Sequence, residues 1–134
     1  MDSLDTNLLV RFYVDDDPAQ ADIAQSLLRG EASLFVPLSV VVELVWVLRK
    51  TAYRLPPKRI VAILRHLLSI PSVHVENEAV VMAAVDIYEK GLDFADALNL
   101  ASSARCERLL TFDRKFVTRA KRLKLAPPCV VRRG

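Results

Sequence analysis

The chain has no apolar run approaching the roughly 20 residues that a membrane-spanning helix needs. Its greasiest stretch, VVVELVWVL at 40–48, is interrupted by Glu43. The first residues are acidic and turn apolar only briefly, which argues against a secretory signal. Only two cysteines are present, Cys106 and Cys129, and neither has a second Cys or a His at zinc-finger spacing. His66 and His74 fall on different expected elements, so a zinc site is not expected. A core of this size needs no disulfide, and reduced thiols in a cytoplasmic protein are the expectation. Repeats, low-complexity tracts and linkers are absent. So is any Ser–His or Cys–His spacing that would suggest a covalent nucleophile.

What is present suits one compact domain over residues 1–134, with 52% hydrophobic and 26% charged residues. The net charge of +3 hides an asymmetry. From Arg105 onward ten basic residues face two acids, a balance of +8, so residues 1–104 carry −5. A basic tail is compatible with a polyanionic partner and equally with a solvated helix face.

Along the chain, SLDTN (3–7) leads from a short strand into a helix. DDDPAQADIAQSLLRG (15–30) has Pro18 near a helix start and Gly30 where a stop belongs. SLFVP (33–37) is a strand, after which Ser39 is a plausible N-cap for a helix through Lys50. Helices are predicted over 56–70, 77–91 and 93–106, and strands at VHVE (73–76), RLLTF (108–112) and CVV (129–131). Strands alternating with helices argue for a parallel sheet covered by helices. The functional crevice of such a sheet lies beyond the carboxyl ends of its strands.

Acids sit at those junctions. Asp5 follows the first strand, Glu43 the second, Asp93 and Asp96 open the helix after Gly91, and Asp113 follows RLLTF. Each has a bland explanation. Asp5 and Asp113 suit helix N-caps, and Asp93 with Asp96 resembles a capping box. Glu43 is harder to explain so, since a cap does not require an acid among valines, leucine and tryptophan. Converging carboxylates repel unless a cation intervenes, and hard divalent cations take oxygen ligands. Such an ion can polarise a phosphodiester and activate water.

The motifs LDTN (4–7), VVELVWVLRK (41–50), DFADALNLASSA (93–104) and LLTFDRKF (109–116) stand in an order that resembles the PIN-domain family. The resemblance is closest to the VapC-type toxins of bacterial type II toxin–antitoxin systems. It implies a three-layer α/β/α sandwich around a parallel sheet of four to five strands. It also implies an endoribonuclease dependent on Mg2+ or Mn2+, with Asp5, Glu43, Asp96 and Asp113 as catalytic metal ligands. Thr6, Asn7, Asp93 and Thr111 would orient those carboxylates or the water beside them. Asn99, three residues past Asp96, shares its helical face and is expected to meet solvent.

Arg114, Lys115, Arg119, Lys121 and Arg122 are candidates for RNA phosphates. Trp46 and Leu48 are expected in the core, while the helix pair 39–52 and 56–70, with Tyr53 and Leu55, is where a VapB-like antitoxin would dock, and the resemblance also implies a homodimer. Two rivals keep the fold: a PIN-like module that binds RNA without cutting it, and a DNA-directed nuclease with the same acids. A receiver domain is disfavoured, because VHVE ends in Glu76 and no phosphoacceptor Asp paired with a late Lys is evident.

Overall fold

The structure, a computed structural model, describes residues 1–14, 16–50 and 52–132. Asp15, at the head of the 15–30 stretch, and Thr51, within the expected helix 39–52, lie outside the described residues. The chain forms two compact units, residues 1–78 and 79–134.

The first unit runs β1 (Asp2–Ser3), α1 (Thr6–Val14), α2 (Pro18–Arg29), β2 (Leu34–Val36), α3 (Leu38–Lys50), α4 (Pro57–Ser69) and β3 (Val73–Val75). Its strands form a parallel sheet with β2 in the middle, Ser3 opposite Phe35 and Val36 opposite Val75. Leu34 and Val36 are buried, as befits a central strand. The helices cover it through regularly spaced apolar residues. Val41, Leu44, Val45 and Leu48 form the buried face of α3, and Ile60, Val61, Ile63, Leu64 and Leu67 that of α4. Each fully buried leucine contributes about 1.5–3 kcal/mol relative to an exposed one.

Two helix starts in this unit are instructive. Asp17 caps α2, accepting from Gln20 N at 3.2 Å, with Pro18 at the first helical position. Ser39 does not cap α3, which begins one residue earlier. The N–H of Leu38 donates instead to Glu76 Oε1 at 2.8 Å, so a carboxylate from the end of β3 caps a helix that follows β2. A charged acceptor at a helix N-terminus also meets the positive end of the macrodipole.

The second unit contains α6 (Phe94–Ser102), β4 (Leu109–Thr111), α7 (Arg114–Arg122) and β5 (Cys129–Val131), with α5 (Glu78–Glu89) leading into it. β4 and β5 are parallel, with Thr111 opposite Val131, and α7 packs on β5. Tyr88 and Phe94 meet edge to face at 5.6 Å, joining α5 to α6. Gly91 takes φ 114° just past α5, a left-handed position that glycine adopts without steric cost.

Three expectations change. The five strands hydrogen-bond as a group of three and a group of two rather than as one sheet of four to five. α6 stops at Ser102, well short of 106, where Ser103 N bonds Leu100 O and the Ser103 hydroxyl takes Asn99 O. α7 was given no bounds beyond its cap candidate Asp113, because five of its nine residues are basic. Only Phe116 and Ala120, one turn apart, are buried along it. The α/β class with parallel strands is as expected. Among the described residues no helix is long and apolar enough to cross a membrane, and both cysteines are unbridged.

Candidate acidic site

In the second unit α6 and α7 present their first turns as acidic corners. Asp93 occupies the N-cap position of α6 but its carboxylate makes no capping hydrogen bond. The capping box that D-x-x-D suggests is therefore not formed. Asp96, one turn on, is half-buried. Asp113 does cap α7: its Oδ1 accepts from Phe116 N at 3.1 Å, and its own N–H donates to Thr111 Oγ1 at 3.0 Å. Thr111, at the end of β4, thus holds the backbone that carries Asp113.

These carboxylates feel one another. Burial raises the Asp96 carboxyl above the usual aspartate range, and the charges of Asp93 and Asp113 raise it further, while Arg119 pulls it back. Carboxylates from two helices and a guanidinium from α7 therefore share one electrostatic neighbourhood within this unit. Asn99 is exposed, with its backbone carbonyl occupied by Ser103.

The first unit carries the other two acids. Asp5 is exposed between β1 and α1, and its Oδ1 accepts from Thr6 N at 2.8 Å. With Asn7, Leu8, Arg11, Gln20 and Ile23 it lines a cavity of about 300 Å³. Arg11 is tied down on the wall of that cavity. Its Nε donates to Gln20 Oε1 at 2.8 Å, and its Nη1 to Asp16 Oδ1 at 2.8 Å and to the Tyr53 hydroxyl at 3.2 Å. Tyr53 in turn donates to Asp16 Oδ2 at 2.6 Å. Thr6, by contrast, is 1% exposed, and its Oγ1 finds no hydrogen-bond partner among the described residues.

Glu43 is exposed, and so are Val42 and Trp46 on the same face of α3. The carboxylate in the apolar run therefore lies on the helix face opposite the buried Val41, Leu44, Val45 and Leu48. What remains unusual is its company, since Trp46 is 59% exposed beside it.

Among the described residues, no group of three or more His, Cys, Asp or Glu side chains is arranged to hold a metal ion. Of the four expected ligands, Asp5 and Glu43 belong to the first unit and Asp96 and Asp113 to the second. The donor chemistry nonetheless fits a hard divalent cation. The carboxylates around Asp96 are hard oxygen donors without thiolate or imidazole, and they carry more negative charge than Arg119 offsets.

Sequence reasoning missed Arg11 and Glu76 as organising residues. Glu76 was legible as an acid directly after a strand, the same placement that drew attention to Asp5 and Asp113. No curated protein matches the chain. The sequence profile of the PIN domain does, over residues 3–122, from the first strand to the last turn of α7. That span contains every acid described above together with the strand–helix junctions that carry them, and the chain belongs to the PIN-domain family.

Proposed function

We propose that this protein is a metal-dependent endoribonuclease and the toxin of a VapBC-type toxin–antitoxin pair. PIN domains are typically metal-dependent nucleases, so a hydrolase acting on nucleic acid is the coarse assignment. The observation that carries the finer reading is Asp96. It is a half-buried carboxyl raised by burial and by two neighbouring carboxylates, with Arg119 beside it. That combination suits a group whose charge a divalent cation balances.

Asp96 and Asp113 would hold Mg2+ or Mn2+ in this unit, and the family motif adds Asp5 and Glu43 as ligands. A divalent ion there supplies Lewis acidity toward a phosphodiester and lowers the pKa of water. The chain's own residues do the rest. Thr111 and the first turn of α7 fix the Asp113 carboxylate through its backbone and one oxygen. Asp93, which caps nothing through its side chain, keeps the neighbourhood negative. Arg119 places a cation beside the carboxylates where a substrate phosphate must come, and Arg114, Lys115, Lys121 and Arg122 extend that charge along α7. The Asp5 carboxylate is oriented by Thr6 N, with Asn7 on the same cavity wall.

The toxin role rests on α3. Val42 and Trp46 expose apolar surface beside Glu43, as a face kept for a protein partner would. A VapB-like antitoxin seated there would cover Glu43 as well. A second copy of the chain is the other partner that the family implies.

The decisive experiment incubates wild type, Asp96→Asn, Asp113→Asn, Asp5→Asn and Glu43→Gln with transfer, ribosomal and messenger RNA and with DNA. Each is run in Mg2+, in Mn2+ and in chelator, with circular dichroism confirming the fold. RNA cleavage that needs the ion and is lost in folded Asp96→Asn is the expected result. Cleavage by that variant at the wild-type rate would refute the acidic site. RNA binding without cleavage would favour the non-catalytic module, and preferential DNA cutting the DNA-directed nuclease.

A further inference from the structure

The C-terminal end of α7 carries a feature that the acidic corner does not use. Ala120, Lys121, Lys124, Leu125, Pro128 and Cys129 line a cavity of about 440 Å³. That volume falls within the roughly 300–1,000 Å³ typical of small-molecule sites. Ala120, Leu125 and Pro128 give it apolar lining, and two lysines line it beside them. One of them is oddly placed. Lys124 has φ 56°, in the left-handed region. Its N–H bonds Lys121 O at 3.1 Å, and Leu125 N bonds Ala120 O at 3.0 Å. This is the Schellman pattern that ends a helix, and its left-handed position is normally glycine's. A lysine held there adopts an unfavourable backbone conformation, and it lines the cavity. Strain of this type concentrates where a side chain has a function.

Distance links the cavity to the acids. Asp113 caps one end of α7 and Lys121 lies eight residues on, about 12 Å along the axis at 1.5 Å per residue. Lys115, Arg119 and Arg122 are exposed on a neighbouring face of the same helix. At roughly 3.4 Å of rise per stacked nucleotide, 12 Å is about three to four nucleotides.

We infer that the cavity walled by Lys121 and Lys124 is a second phosphate subsite. It holds a backbone phosphate of a single-stranded nucleic acid about three to four nucleotides from the scissile bond. The inference rests on the nuclease reading, and α7 acts as the ruler between the two points. The subsite recognises a phosphodiester through its lysines, with the sugar against the apolar part of the lining.

The test measures binding of a short labelled single-stranded RNA, and of its DNA counterpart, to the full chain in chelator over a salt series. Lys124→Gly removes the cation and relieves the backbone. It should melt higher than wild type yet bind about two- to fivefold more weakly, with a salt slope smaller by about 0.7. Lys121→Gln should show the same weakening without the thermal gain. A neutral methylphosphonate moved along the RNA should weaken wild type at one position, three to four nucleotides from the cut, and leave Lys124→Gly unaffected there. A Lys124→Gly protein with wild-type affinity and salt slope, alongside wild type that cleaves RNA, overturns the subsite and leaves the nuclease standing. Wild type that binds neither RNA nor DNA overturns both. A loss confined to RNA, with the methylphosphonate silent at every position, points to the 2′-hydroxyl and overturns the phosphate assignment.

Discussion

Replacing Thr6 with valine exchanges a hydroxyl for a methyl of nearly the same shape, at the first residue of α1. The side chain is 1% exposed, and its Oγ1 has no hydrogen-bond partner among the described residues. Burying a hydroxyl without a partner costs about 1–3 kcal/mol on mutational evidence. Both residues are β-branched and have similar helix propensity, so the backbone contributes little to the difference. Thr6→Val should therefore stabilise the protein by about 1 kcal/mol. That is about 3–5 °C in Tm for a chain of this length. Urea unfolding gives the cleaner assay, since a higher midpoint at unchanged m isolates stability from compactness. Thr6→Ser retains the hydroxyl and loses a buried methyl, and should cost about 0.8 kcal/mol. The functional side runs the other way. Thr6 adjoins Asp5 and donates its backbone N–H to that carboxylate. If its hydroxyl orients the site, activity should fall about 10- to 100-fold as stability rises. A Thr6→Val protein that is destabilised by 1 kcal/mol or more would show the hydroxyl to be well bonded in solution, and the reasoning would fail.

Other perturbations probe the supports of the site. Glu76→Ala removes the carboxylate that caps α3 and should cost about 1 kcal/mol, read by chemical denaturation; an unchanged midpoint would mean that water serves Leu38 equally well. Asp16 titrates below the usual aspartate value, chiefly through its hydrogen bond from Tyr53 and then through the charge of Arg11. A depressed carboxyl contributes stability above its unfolded pKa of 3.8, lost as pH falls through the folded value. NMR titration of Tyr53→Phe should therefore move Asp16 upward, and an unmoved Asp16 would assign the shift to Arg11 alone.

Helices were legible because local periodicity reports burial. Residues 60, 61, 63, 64, 67 and 68 are apolar at helical spacing, and α4 buries all of them but Leu68, which is half-buried. Strand partners were not legible in the same way. Strands of two or three residues are too short for alternation to show which pairs with which, and the ladders divide three and two. α7 was legible only through its cap candidate Asp113, since arginines and lysines mask its periodicity and its buried side amounts to Phe116 and Ala120.

The site divides along the same line. Which acids stand at strand–helix junctions was readable, because turn and cap chemistry is local and the motif order is linear. What each acid meets was not. Asp113 caps its own helix as expected, while Asp93 leaves unmade the cap that the D-x-x-D spelling suggests. The cap on α3 comes from Glu76, 38 residues beyond Leu38, and the charge around Asp96 comes from Asp93, Asp113 and Arg119 on two helices. Sequence by itself determined most of the elements, the class and the family, since these follow from periodicity and motif order. Tertiary structure alone decided the partners, because hydrogen bonds and Coulomb energies depend on distance through space, which separation along the chain does not give.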